Sequence, residues 1–158
     1  MLSLAKRYVS KEQIAERIAE FEEWPSGLGL ESRALLPQYL SYFGYKFGLS
    51  RTDGQTVETV FRPYKELGGS RIKYKAKVLS TKQTWWTGED LNISMFGWEQ
   101  ALASGAKNLY ITEGEEDAVA LFQAIKEGNI GTAYEKYDPA VVSLPHGASS
   151  AVKTLVKL

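Results

Sequence analysis

Leu109-Tyr110-Ile111-Thr112 is a short apolar run, and Glu113-Gly114 follows it directly, before a helical pattern opens at Glu115. No other stretch limits the fold of this chain so tightly. Four apolar or β-branched residues bounded by a turn signal read as a buried strand. Gly114 permits the sharp strand-to-helix turn, and residues 115–126 suit a helix that Gly128 stops. Ala140-Val141-Val142-Ser143-Leu144 is a second buried strand, closed by Pro145-His146-Gly147, and residues 148–157 begin another helix. Strand, helix, strand, helix predicts a parallel sheet with a right-handed crossover. Parallel strands want both faces covered and further neighbours. Two of them therefore predict a truncated chain, or a missing partner segment that completes the sheet.

The residues before this unit have a different texture. Ser10-Lys11-Glu12-Gln13 reads as a capping box with Val9 and Ile14 at its staple positions. Ile14, Ile18 and Phe21 recur at helical spacing, so residues 11–23 are predicted as an amphipathic helix ended by Trp24-Pro25-Ser26-Gly27. Pro37 to Phe43 suits a short helix with Pro at its first position and Gly44 just past its end. Asp53-Gly54 marks a tight turn between two extended segments. Thr56 to Tyr64 and Arg71 to Leu79 are β-rich and flank Gly68-Gly69-Ser70, which predicts a hairpin. The fold class that follows is α+β: an N-terminal helix and linker (1–28), a β-hairpin-rich subdomain (29–100) and an α/β unit (101–158).

Charge narrows the chemistry. The chain has no cysteine and one histidine, His146. A disulfide framework and a zinc ribbon are excluded, and any metal must be a hard cation held by carboxylates. No apolar run nears the roughly 18 residues a membrane span needs, and no leader pattern opens the sequence. A cytoplasmic protein is the expectation. Nineteen basic residues balance nineteen acidic ones, but unevenly. From Arg62 to Lys82 there are seven basic residues and one acid, Glu66, whereas Glu113 to Asp117 holds four acids in five positions.

Each cluster has two readings. Glu113 falls at the carboxyl end of a parallel strand, where open α/β sheets place their ligand crevices. Asp117 lies one helical turn further on, so the two carboxylates are placed to share a divalent cation such as Mg²⁺. Acids in a first helical turn also simply complement the helix dipole, and Glu115 and Glu116 are read that way. Arg71, Lys73, Lys75 and Lys77 alternate with Ile72, Tyr74, Ala76 and Val78, which puts four positive charges on one open strand face. Such a stripe suits nucleic-acid backbone or triphosphates, with Lys82 nearby. It equally suits a solvated hairpin face or lysines guarding a sheet edge. Trp85-Trp86 read as packing aromatics. His146 points toward the same crevice end as Glu113, either to meet a phosphate or to bond backbone.

Leu109-Tyr110-Ile111-Thr112-Glu113-Gly114-Glu115-Glu116-Asp117 resembles the Toprim signature of an apolar strand, Thr-Glu-Gly, and an acid four residues after the Glu. Val141 to Ser149 resembles the second Toprim strand and its loop in phage primase–helicases of the T-seven podovirus type, which are related to bacterial primases. Phe61-Arg62-Pro63-Tyr64, Tyr74-Lys75-Ala76-Lys77 and Met95-Phe96-Gly97 resemble the subdomain that precedes Toprim in that family. The likeness covers about residues 30–158. The family's later Asp-x-Asp strand, its zinc module and its helicase have no counterpart in the sequence.

The resemblance implies a DNA primase: synthesis of short RNA primers on a single-stranded DNA template by metal-assisted nucleotidyl transfer. It implies Glu113 and Asp117 as catalytic, Mg²⁺- or Mn²⁺-binding residues. Lys75, Lys77, Lys82 and His146 would contact template or ribonucleoside triphosphates. A helicase domain or other replication proteins are the implied partners, with no membrane. Two carboxylates are few for this reaction, so the chain alone is expected to be weak or inactive. The alternatives are a non-enzymatic module binding single-stranded DNA or a replication partner, and a fragment of another Toprim nuclease or topoisomerase.

Overall fold

A computed structural model describes residues 33–50, 52 and 57–158. The predicted helix over 11–23 and the Asp53-Gly54 turn lie outside the described residues. The chain is mixed α+β, with an antiparallel sheet and a small parallel one.

Helix α1 (Pro37–Tyr42) starts on its proline, whose fixed φ suits the first turn. Strand β1 (Lys46–Leu49) then opens a four-stranded antiparallel meander with β2 (Val57–Lys65), β3 (Ile72–Val78) and β4 (Thr84–Trp86). The predicted hairpin is β2 and β3, paired from Thr59 opposite Val78 to Lys65 opposite Ile72. Helix α2 (Trp98–Ser104) leads to β5 (Leu109–Thr112), α3 (Glu115–Gly128) and β6 (Ala140–Ser143). Strands β5 and β6 pair in parallel, Leu109 opposite Ala140 and Thr112 opposite Ser143. The last predicted helix is shorter than expected, a 3-10 turn (Ala148–Ser150) followed by α4 (Ala151–Leu155).

Residues 92–96 stitch the two sheets together. Ser94 N–H donates to Lys65 O at the end of β2, and Phe96 exchanges both backbone hydrogen bonds with Ser143 at the end of β6. The edge of β6 away from β5 is thus occupied. Alternation along β6 then splits the core. Val141 packs with Phe43, Tyr45, Val60, Tyr64, Phe96, Val119 and Phe122, while Ala140, Val142 and Leu144 pack with Met95 and Ala101. Aromatic rings fill the first cluster: Phe43 stacks on Phe96 at 5.2 Å and Tyr42 on Phe122 at 4.4 Å. Strand β5 is different. Leu109, Tyr110 and Ile111 are 43, 43 and 44 % exposed, so a strand predicted as buried shows apolar side chains on both faces.

Gly97 fixes how this junction closes. Its φ is +76°, and a Cβ there would come within 2.8 Å of Val141 O and 2.9 Å of a Phe43 ring carbon. Gly105 shares the left-handed conformation (φ +65°) but faces open space. Gly105→Ala is expected to cost only the backbone strain, about 1–3 kcal/mol. Gly97→Ala should cost distinctly more, because backbone must also move. Urea unfolding of the two variants checks the order, and equal losses would show that the junction yields freely.

Candidate active site at the start of α3

The first turn of α3 carries Glu115, Glu116 and Asp117, as a helix N-terminus favours. Dipole complementarity does not explain the first two. Glu115 and Glu116 are 4 and 7 % exposed, and the side chain that meets them, Arg62, is 2 % exposed. Arg62 sits between Val60 and Tyr64 on the inward row of β2. Its Nε donates to Glu116 Oε1 at 2.9 Å, its Nη2 pairs with the same oxygen, and its Nη1 lies 3.6 Å from Glu115 Oε2. The Tyr64 hydroxyl donates to Glu115 Oε1 at 2.7 Å, and Lys75 Nζ approaches that oxygen at 2.8 Å. Glu115 and Glu116 are therefore not surface helix-start acids. They lock α3 onto the antiparallel sheet.

Burial is the largest influence on Glu115 and works to raise its pKa. The Arg62 charge and the Lys75 ammonium outweigh it, with help from Tyr64, and hold the carboxyl below its ordinary value of 4.5. A depressed folded-state pKa stabilises the fold above the unfolded-state pKa, and that stabilisation is lost as pH falls through the folded value. Unfolding free energy is thus expected to decline below about pH 4.5. Glu115→Gln should flatten that decline in urea titrations at several pH values. An unchanged slope would assign the acid sensitivity elsewhere.

Lys75 does a second thing. Its ammonium also donates to Pro145 O at 3.0 Å, tying the loop after β6 to the sheet. In that loop Gly147 adopts φ +71°, and a Cβ there would lie 3.3 Å from Glu113 Oε1. Glu113 thus stands exposed at the end of β5 against the Gly147 turn. Asp117 is also exposed, its Oδ2 turned back over Gly114 and its Oδ1 3.7 Å from Arg33 Nη1. The two predicted ligands occupy the strand end and the first helical turn. Among the described residues no group of three or more His, Asp or Glu side chains is placed to share an ion.

The basic strand face is not the open stripe expected. Lys73, Lys75 and Lys77 do share one face of β3, but that face is turned toward α3 and the β6 loop, and all three are half-buried. Arg71 lies before the strand and pairs with Glu66 and Glu89. Lys77 has no ion pair among the described residues. Lys82 is exposed in the β3–β4 turn with φ +60°. Lys73 and Lys75 hold their ammonium groups 5.5 and 5.9 Å from the Trp86 ring, which in turn lies 5.0 Å from Tyr64 and 5.5 Å from His146.

Beside this aromatic post opens a cleft of about 480 Å³, lined by Lys73, Trp86, Asn92, His146, Lys153 and Lys157 among others. Partial burial lowers the His146 pKa, and the charges of Lys75 and Lys153 push it further down. The imidazole is accordingly neutral at physiological pH and sits in a positive field. Asp90, 3.6 Å from Lys73, is an opposing charge at the rim. Positive potential with an aromatic wall suits a phosphate-bearing ligand. Sequence reasoning reached His146, and Lys73 as part of the basic stripe, but not Lys153 or Lys157 as cleft residues, nor Arg62 as an anchor. The one signal for Arg62 was its place in an otherwise apolar row. No family model, curated protein or solved structure matches this chain.

Proposed function

We propose that this chain is the primer-synthesising part of a primase of the phage primase–helicase kind, acting on single-stranded DNA and ribonucleoside triphosphates. The observation that supports the reading most is the position of Glu113. It stands at the carboxyl end of a parallel strand, against the Gly147 turn, with the lysine-rich cleft adjoining through His146. Two accessible carboxylates, Glu113 and Asp117, suit a weakly held hard cation that keeps several of its waters. When bound, Mg²⁺ or Mn²⁺ would supply charge stabilisation at the attacked phosphorus and lower the pKa of the attacking hydroxyl.

The chain's own residues do the rest. Lys73, Lys153 and Lys157 bind phosphate oxygens of triphosphate or template, and neutral His146 offers a hydrogen bond beside them. Lys75 keeps the 145–147 loop in place, so that Glu113 and His146 hold their spacing. Lys77 and Lys82 extend the basic surface along β3 and its turn.

A second reading, a non-enzymatic binding module for single-stranded DNA, draws on the cleft alone. The two are separated by incubating the chain with a single-stranded template, ribonucleoside triphosphates and Mg²⁺. The incubation is repeated with a polypeptide that bears an Asp-x-Asp strand, in cis or in trans. Dinucleotide formation in the completed system supports the primase. Tight, salt-sensitive DNA binding without synthesis in either mixture supports the binding module.

A further inference from the structure

The antiparallel sheet has a second face, turned away from α3. Strand register fixes which side chains it carries. Lys46 of β1 stands opposite Phe61 of β2, and Pro63 and Lys65 of β2 stand opposite Tyr74 and Ile72 of β3. Arg62, Tyr64, Lys73 and Lys75 occupy the alternate positions and belong to the α3 side. On the second face a cleft of about 400 Å³ is bordered by β1, β2, β3 and the start of α2. Tyr74 and Trp98 give it aromatic surface, and Lys46, Lys65 and Glu99 give it charge.

The two lysines differ. Lys65 Nζ donates to Glu99 Oε2 at 2.9 Å, so that end of the cleft carries no net charge. Lys46 is half-buried, and no carboxylate among the described residues pairs with it. Its ammonium instead lies 5.9 Å from the centre of the Tyr74 ring. A ring face repays part of the hydration that a half-buried ammonium gives up, but it leaves the donors without an anionic acceptor. Burial raises the Tyr74 pKa, so the hydroxyl stays a proton donor at physiological pH. One unneutralised positive charge thus stands beside aromatic surface. An apolar peptide would cover that charge without an acceptor, and a bare anion would leave the rings uncovered. A planar base joined to a phosphate answers both, and the volume lies in the small-ligand range.

We infer that this cleft is a second nucleotide site, which holds a base against Tyr74 and Trp98 and a phosphate on Lys46. A free nucleotide and one unit of a single strand present the same chemistry to it. The inference does not rest on the primase reading, because none of these residues takes part in that reaction.

Photocrosslinking of the 158-residue chain with 8-azidoadenosine 5′-monophosphate, mapped by peptide mass spectrometry, tests it. Label is expected on Tyr74 or Trp98. The concentration of adenosine monophosphate that halves this labelling reads the affinity of this site alone. Adenosine and ribose 5-phosphate, each lacking one half of the ligand, should compete at least about tenfold more weakly. Tyr74→Leu and Lys46→Gln should each raise the halving concentration about tenfold or more, read at Trp98. Tyr74→Phe keeps the ring and should stay near wild type, and circular dichroism and melting temperature confirm that each variant folds. Label that spares both Tyr74 and Trp98 overturns the proposal, whether or not it appears at Trp86 or His146 in the other cleft. Competition unchanged by both Tyr74→Leu and Lys46→Gln, or equalled by ribose 5-phosphate, overturns it as well. A short deoxyadenylate strand that displaces the label far better than the mononucleotide identifies the ligand as single-stranded DNA, and equal displacement identifies it as the free nucleotide.

Discussion

Arg62→Ala is expected to destabilise the fold by about 3–5 kcal/mol, the usual cost of stranding buried carboxylates without their partner. The guanidinium contacts both Glu115 and Glu116. Removing it leaves two acids less than a tenth exposed at the foot of α3, with Lys75 and Tyr64 satisfying only Glu115. Arg62 is among the largest fully buried side chains, so the truncation also leaves a cavity that adds to the loss. The contrast that isolates charge is the triple change Arg62→Met, Glu115→Gln, Glu116→Gln, which removes all three charges while roughly keeping volume. It should recover most of the loss, since a buried ion pair exchanged for uncharged groups is often close to neutral. Chemical denaturation gives both numbers. If Arg62→Ala costs under about 1 kcal/mol, a level typical of exposed pairs, then the network is not what fixes α3 to the sheet.

Primer synthesis is where the second large effect is expected. In a system that makes dinucleotides, Glu113→Gln should lower the rate at least about a hundredfold, equivalent to about 2.7 kcal/mol of barrier. The substitution keeps shape and hydrogen-bonding capacity and removes the charge that would hold a divalent cation. Glu113 is exposed and makes no ion pair among the described residues, so stability should stay within about 0.5 kcal/mol of wild type. DNA binding through the cleft lysines should also persist, whereas Lys153→Glu should weaken it, most of all at low salt. Synthesis that survives Glu113→Gln would remove this carboxylate from the chemistry. Equal loss of synthesis and of binding would make its role one of substrate binding alone.

The strand, Glu-Gly, helix and strand order of residues 109–143 was legible from periodicity and turn residues alone. So were the β2–β3 hairpin and the proline-started helix α1. Each is a local pattern, written by spacing over a few residues. Strand β1 was legible only as an extended segment before the Asp53-Gly54 turn; strand β4 and helix α2 were not, because pieces of three and seven residues give periodicity too little length to register.

Period two shows which side chains share a face of β3; it does not show which face another element will cover. Lys73, Lys75 and Lys77 therefore read as an open stripe, and only the docking of α3 and the β6 loop turned them inward. The same limit hid the difference between Glu115 and Glu116 on one side and Asp117 on the other. All three are acids in a first helical turn, and the helix dipole favours each alike. What separates them is Arg62, more than fifty residues earlier, which the meander brings under the helix. A buried charge is stable only where its partner arrives from elsewhere in the chain, so burial and pairing here were settled by tertiary structure.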